Sequence, residues 1–376
     1  MNDDRWHVTR RIGRLLALLG LVLAFAVPGV TAAPAVHRAA IVSAGVDSHD
    51  GTVVKSGSTY VRVGTIYGCG YVWSKPGTPW CGIGASTAPS LSGPWSTPAP
   101  MFPPDSIDPY TGQSWQVECG GTGAGCFNGR LVQRLGWGAN DGAWILFFNS
   151  PADYVRDGSN AYNAMGCNSV TGPCGPTAGG PYGSYAKPSL SHCFGNGDFG
   201  FITPPSGPPA MVCTMAGGGS LNEDQLNQWG NEGSGTGASA IGGITSIEAP
   251  GGWWDPGTQE YWLSFSDPYC GYCTGTGTGY ATATSLYGPW TAQTDLTASP
   301  GAAPRTGRRD ISATSCGGQP RTVFVADGQA YEWIDLWTGS PNETGAGVDF
   351  VPLTPTAPSG VPGDGGVWTP PLTLAC

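Results

Sequence analysis

Two carboxylates, Asp50 and Glu248, head apolar stretches about 200 positions apart. Asp50 leads Gly51-Thr52-Val53-Val54, then a Gly57-Ser58 turn and the strand-like Tyr60-Val61-Arg62-Val63. Glu248 leads Ala249-Pro250, then a Pro256-Gly257 turn and Tyr261-Trp262-Leu263-Ser264-Phe265. The first unit closes on Gly93-Pro94-Trp95 and the second on Gly288-Pro289-Trp290. Asp198 stands in the same way ahead of Phe199-Gly200-Phe201-Ile202. Repeated β-units can bring such carboxylates to one axis, where two of them suffice to cleave a glycosidic bond. One carboxyl protonates the leaving oxygen, and a carboxylate activates water on the other face.

The elements that must hold these groups read as strands throughout. Aromatic or apolar second strands recur near Tyr60, Trp144, Met211, Tyr261 and Tyr331. Each follows a turn signal: Gly57-Ser58, Asp141-Gly142, Ser206-Gly207, Pro256-Gly257 and Asp327-Gly328. Gly and Pro interrupt almost every window long enough for an amphipathic helix. Five units share the chain at roughly 70 residues each, above the common propeller repeat, with Gly-rich insertions at Gly120–Gly125, Gly175–Gly183 and Gly233–Gly243 carrying the excess. A two-sheet sandwich does not explain paired strands at five spaced sites. The expected fold is all-β, a single five-bladed β-propeller over residues 36–376.

Residues 1–35 read as a signal peptide, with Arg5, Arg10, Arg11 and Arg14 ahead of an apolar run from Leu15 to Val27 and then Ala33-Pro34-Ala35. That run is shorter than a membrane span, so the chain is expected to be secreted and extracellular, with no membrane partner. Its removal leaves 12 basic against 24 acidic residues, a net charge of −12. With only three lysines, such a chain repels nucleic acid, and a neutral carbohydrate substrate fits better. The twelve cysteines suit disulfides in an oxidising compartment. Spacing pairs Cys69 with Cys81, Cys119 with Cys126, Cys167 with Cys174, Cys193 with Cys213 and Cys270 with Cys273. Cys316 and Cys376 remain, a pair expected to close the ring. Three mature histidines are too few for a zinc site built on the C-x-x-C pair, and no EF-hand loop, G-x-S-x-G, H-E-x-x-H or P-loop occurs.

With these residues in view, the chain resembles glycoside hydrolase family 43. Asp50-Gly51-Thr52-Val53-Val54-Lys55-Ser56-Gly57-Ser58-Thr59-Tyr60 is similar to that family's first-blade motif. Glu248-Ala249-Pro250 is similar to its fourth-blade Glu-Gly-Pro. His49-Asp50-Gly51 also resembles the His-Gly-Gly start of galactan-cleaving relatives. The resemblance implies a five-bladed propeller that hydrolyses a polysaccharide or oligosaccharide of arabinose, xylose or galactose with inversion. It leaves room for a structural calcium ion in the central channel and implies no other cofactor. One departure concerns the second-blade Asp that tunes the acid. The matching stretch, Phe127-Asn128-Gly129-Arg130-Leu131-Val132, has no carboxylate, which leaves Glu118 or Asp198 to fill that role. The same departure supports an alternative, a carbohydrate-binding propeller without catalysis.

On this reading Glu248 is the acid, since Ile247 and Ala249 disfavour its charged form. Asp50 is the base, although Asp-Gly is also a common turn dipeptide, and Asp47 is its reserve. His49, Gln319, Asp198, Trp73 and Trp253 are the expected substrate-binding residues, with Tyr67, Trp80 and Trp254 as further mouth aromatics, Trp being equally ordinary inter-blade packing. The chain is expected to act as a monomer with no metal in its catalytic step.

Overall fold

Turn dipeptides and aromatic strands resolve into five antiparallel sheets around one channel. The structure, a computed structural model, describes residues 40–43, 45–135, 142–158, 160–175, 185–195, 197–216, 219–292, 310–356 and 372–376. The expected leader at 1–35 and its boundary lie outside them, as do Asp141 of one turn and most of the insertion Gly175–Gly183.

The first blade is formed by His49–Ser56, Thr59–Thr65, Ile83–Ala88 and Ala99–Pro100. The second comprises Phe127–Gln133, Trp144–Asn149, Tyr162–Cys167 and Tyr185–Ala186. The third comprises Phe199–Ile202, Ala210–Thr214, Leu221–Leu226 and Gly233–Ala238, so the glycine-rich stretch from Gly233 is an outer strand rather than an insertion. The fourth comprises Glu248–Asp255, Glu260–Asp267, Gly277–Ala283 and Thr291–Ala292. The fifth comprises Gln319–Ala326, Gln329–Leu336 and Gly347–Pro355. The fold is therefore the five-bladed β-propeller that the pattern implies. A single short α-helix, Pro151–Asp157, is described beside the strands.

Both chain ends complete the fifth blade. Ile41–Ser43 pairs with Val348–Phe350, and Leu372–Leu374 pairs with Leu353–Pro355. Pairing the first strand with the last blade closes the ring through backbone hydrogen bonds. This corrects the role expected of Cys316–Cys376. All six disulfides form as the spacing implied, but that one joins two segments of the fifth blade.

Five apolar clusters fill the gaps between adjacent blades among the described residues. Between blades five and one, Trp333 packs against Phe350 with the rings tilted by 57° and lies under the Arg62 guanidinium, 4.9 Å from the ring centroid. The inner strands approach each other so closely that a Cβ on Gly251 would stand 2.0 Å from the Val323 nitrogen.

A bulge near the start of four inner strands prepares the channel mouth. His49 pairs with Thr65, Phe127 with Asn149, Glu248 with Ser266 and Gln319 with Asp335. The register then slips before pairing resumes. In three blades the second residue takes a positive φ: Asp50 at 45°, Asn128 at 59° and Ala249 at 55°. Asp and Asn tolerate this region because their short polar side chains bond locally. Such bulges re-aim side chains, and here Asp50 and Asn128 occupy corresponding positions on neighbouring blades.

Two carboxyls of the blade cores, Glu223 and Glu332, are fully buried, and burial raises each pKa to about 8. Ser264 Oγ donates to Glu332 Oε2. An unfolded glutamate ionises near 4.5, so the folded chain binds this proton more tightly. The stability each group contributes is complete below pH 4.5 and is lost as pH rises toward 8, by up to about 1.4 kcal/mol per pH unit. Glu332→Gln is expected to flatten that loss and to be the more stable protein at pH 8. Urea unfolding of both proteins at pH 5 and pH 8 checks this, and an unchanged pH dependence contradicts it.

Candidate active site

The inner strands start, and the second strands end, at one end of the channel, and the polar residues gather there. Two arginines organise them. Arg130, on the inner strand of blade two, is buried at the axis and donates to backbone carbonyls of three other blades. Its partners are Asp50 O, Phe199 O at 3.1 Å and Arg321 O at 3.3 Å. It also donates to Asn128 Oδ1 at 3.2 Å. Carbonyl oxygens of this kind are what a channel calcium would take. With a guanidinium already on them, this level of the axis does not fit a divalent cation.

Arg321, on the inner strand of blade five, sits among carboxylates. Its Nη2 lies 2.9 Å from Asp198 Oδ2, and its Nε lies 4.0 Å from Asp335 Oδ2. Asp198, Asp50, Glu248 and Asp335 all act on its charge. Asn128 joins the group, donating Nδ2 to Asp198 Oδ1 at 2.8 Å.

Glu248 is partly exposed at the mouth, and one of its oxygens is held. Oε1 accepts the Cys270 N–H at 2.7 Å and Gln319 Nε2 at 2.6 Å. Gln319 is fixed in turn, donating to Cys270 O at 3.0 Å and accepting from Trp337 Nε1 at 2.7 Å. Burial and then the negative charge of Asp198 raise the Glu248 pKa to about 8, against the lowering pull of Arg321 and the two donors. With Oε1 occupied by donors, the proton of the neutral acid belongs on Oε2.

Asp50 is built differently. Its Oδ1 accepts Thr65 Oγ1 at 2.8 Å and the Asn128 N–H at 3.0 Å, and its own N–H donates to Asp335 Oδ2 at 2.7 Å. Burial raises its pKa and Arg321 pulls it back, leaving it at about 6. Near neutral pH the environments thus favour an ionised Asp50 and a protonated Glu248, the division of labour that acid–base catalysis needs.

The structure brings Glu248, Asp50, Asp198 and Gln319 together around Arg321. Trp73 stands above them, 39% exposed, with its ring 5.1 Å from Tyr272 in an edge contact. His49 is not at the surface of the site. It is wholly buried, in ring contact with Tyr67 and Trp337, with Asp47 and Asp335 at 3.5 and 3.7 Å. Burial lowers its pKa, the two carboxylates outweigh that, and the net shift is upward. It packs behind the rings of Tyr67 and Trp337 rather than lining the open mouth. Trp253 also sits apart, stacked on Trp262 in the core between blades four and five, five residues down the strand from Glu248. Trp80 is buried and donates Nε1 to Cys126 O. Glu118 belongs to a separate acidic group with Asp108 and Asp153, where Thr111, Ser150, Arg156 and Lys187 occupy the carboxylates. Asp198 is the carboxylate that acts on Glu248.

Sequence reasoning missed Arg130, Arg321, Asp335 and Tyr272. Its one signal for the arginines was a basic residue inside an otherwise apolar inner strand, at Gly129-Arg130-Leu131 and Pro320-Arg321-Thr322.

No protein-family model matches the chain, and no curated protein matches it. Solved structures share its fold. An exo-β-1,3-galactanase from Phanerochaete chrysosporium with galactose superposes with a TM-score of 0.60 at 16% identity, over 84% of this chain and 64% of that one. A β-1,3-galactosidase of glycoside hydrolase family 43, with galactodeoxynojirimycin, gives 0.58 at 12% identity, over 88% and 94%. An exo-β-1,3-galactanase from Clostridium thermocellum gives 0.54 at 13% identity, over 83% and 60%. The chain thus spans less than two thirds of both galactanases.

Asp198→Asn is expected to lower the Glu248 pKa by about one unit or more, because it removes a negative charge that raises the group and that competes for Arg321. Carbon-13 NMR titration of labelled glutamate, with Glu248→Gln assigning the signal, checks this. An unmoved titration would show that Asp198 does not tune the group.

Proposed function

We propose that the protein is a secreted inverting glycoside hydrolase, with Glu248 as general acid, Asp50 as general base and Asp198 as the residue that keeps Glu248 protonated. The observation that carries this reading is the state of the two carboxyls. Glu248 has one oxygen clamped by two N–H donors and a pKa near 8, while Asp50 has one oxygen clamped and a pKa near 6. Protonation of the leaving oxygen by Glu248 Oε2 and removal of a proton from water by Asp50 Oδ2 on the opposite face complete a single displacement. The reaction breaks the glycosidic C–O bond, forms a C–O bond to water and inverts the anomeric carbon. An inverting pair needs roughly 6.5–9.5 Å between its carboxyls to admit that water. Arg321 holds Asp198 and Asp335 in place without giving up a proton.

Six disulfides are consistent with an extracellular protein, and no helix among the described residues is long and apolar enough to cross a membrane. The structural neighbours are described as acting on β-1,3-galactan or β-1,3-galactosides, so galactose-containing chains lead the substrate candidates, ahead of those built on arabinose or xylose. One observation favours the second reading, a sugar-binding propeller without turnover: Asp50 is only 2% exposed, and a base must meet its water.

Release of sugar from β-1,3-galactan, arabinan and xylan separates the readings. Activity on one of them is expected, with kcat/KM bell-shaped in pH between limbs near 6 and 8. Glu248→Gln should lose about 10²–10⁴-fold on that polysaccharide and much less on an aryl glycoside whose leaving group needs no proton. Equal, small losses on both substrates would remove Glu248 from the chemistry. Binding without hydrolysis in the wild type would establish the second reading.

A further inference from the structure

Three loops at the mouth, from blades four, five and one, join into a continuous wall. The blade-four loop is closed by the Cys270–Cys273 disulfide and carries Tyr272 at a φ of 49°. Tyr272 Oη lies 2.9 Å from Tyr67 Oη of the blade-one loop. Its ring lies 4.9 Å from that of Trp337 in the blade-five loop and 5.1 Å from that of Trp73. Hydrogen bonds also fasten the blade-one loop to the blade-five loop. The Trp73 N–H donates to Pro341 O at 2.9 Å, and Asn342 Nδ2 donates to Tyr67 O at 3.2 Å and Tyr71 O at 2.7 Å. A Cβ on Gly271 would already stand 3.2 Å from the Trp73 ring.

The wall stands on the Asp50 side of the site. Thr65, two residues before Tyr67, donates Oγ1 to Asp50 Oδ1 at 2.8 Å, and Asp50 is among the charges acting on Tyr67, Tyr71 and Tyr272. In an inverting displacement the base and its water lie on the face remote from the leaving group. The sugar bound between Asp50 and Glu248 therefore has the wall behind it, and its leaving group must point past Glu248. On that side Tyr269, next to the Cys270 N–H that holds Glu248, is 53% exposed.

We propose that Tyr272 is a specificity-determining residue: it closes the mouth behind the bound sugar, so that the site accepts the end of a chain and excludes its interior. The inference rests on the proposed hydrolase reading. The loop that carries Tyr272 also supplies the Cys270 N–H to Glu248, so wall and acid keep one geometry. Replacement of Tyr272 by alanine opens a path between Trp73 and Trp337 while leaving the disulfide intact.

The test uses β-1,3-galactotriose and the same trisaccharide carrying a benzyl ether on O3 of its non-reducing sugar, where a longer chain would continue, with calorimetric binding and hydrolysis measured for each. Wild type and Tyr272→Phe, which keeps the ring, are expected to bind and cleave the capped sugar more weakly by on the order of tenfold or more. Tyr272→Ala is expected to narrow that gap severalfold, chiefly through KM, with β-galactosyl fluoride hydrolysis reporting an intact site. Should the alanine variant fail to fold, Trp73→Ala thins the same wall from its outer side and is expected to narrow the gap in the same direction. Equal handling of both sugars by the wild type overturns the proposal, as does an unchanged gap in a folded variant. Wild type that binds both sugars with the predicted gap but hydrolyses neither them nor the fluoride refutes the hydrolase reading and leaves the wall standing.

Discussion

A buried guanidinium at the axis is the constraint on which this site depends. Propeller inner strands turn backbone carbonyls toward the channel, and a carbonyl out of reach of water needs a donor. Arg130 provides three blades with that donor at once. Its partner oxygens include the carbonyls of Asp50 and Arg321, so the residue that joins the blades also sets the height of the proposed base and of the central cation. Burial lowers the Arg130 pKa to about 10, which keeps it charged at neutral pH. An isolated buried charge is costly, and the cost is offset here by bonds to carbonyl oxygens and the charges of Asp50, Asp198 and Asp335.

One step toward the mouth, Arg321 sits among the carboxylates and separates their behaviour. Asp198 and Asp335 lie nearest to it, at 2.9 and 4.0 Å, and Asp50 feels it more than any other charge. For Glu248 the negative charge of Asp198 outweighs it. Burial raises the pKa of both carboxyls; Arg321 holds Asp50 back to about 6, while Asp198 adds to the rise of Glu248 to about 8. Groups whose environments push their pKa values apart are the usual mark of divided acid and base roles.

Blade number was legible because each blade carries a local signal, a turn pair between an inner and an aromatic strand, and these signals depend on nearby residues alone. Ring closure was not, since Ile41–Ser43 is three residues long and has meaning only beside a partner some 300 positions away. Asp50, Glu248 and Asp198 could be read from their places at strand starts. Their tuning could not, because it arises from bulges and from contacts across the ring. His49 and Trp253 show the limit of reading by type alone. Both are residues that bind sugars elsewhere, and both are packed here, one beneath the mouth rings and the other between blades. Tyr272 escaped notice because its cysteines suggested a staple, whereas the loop they close also touches the acid.

The stereochemistry of the first-formed product tests this account most directly. Proton NMR of the anomeric signal, recorded within the first minutes of hydrolysis and before mutarotation, reports which face water attacked. The arrangement of Asp50 and Glu248 predicts a sugar of inverted configuration that then equilibrates. A product of retained configuration would require a carboxylate to attack the anomeric carbon itself and would contradict the roles assigned to both residues.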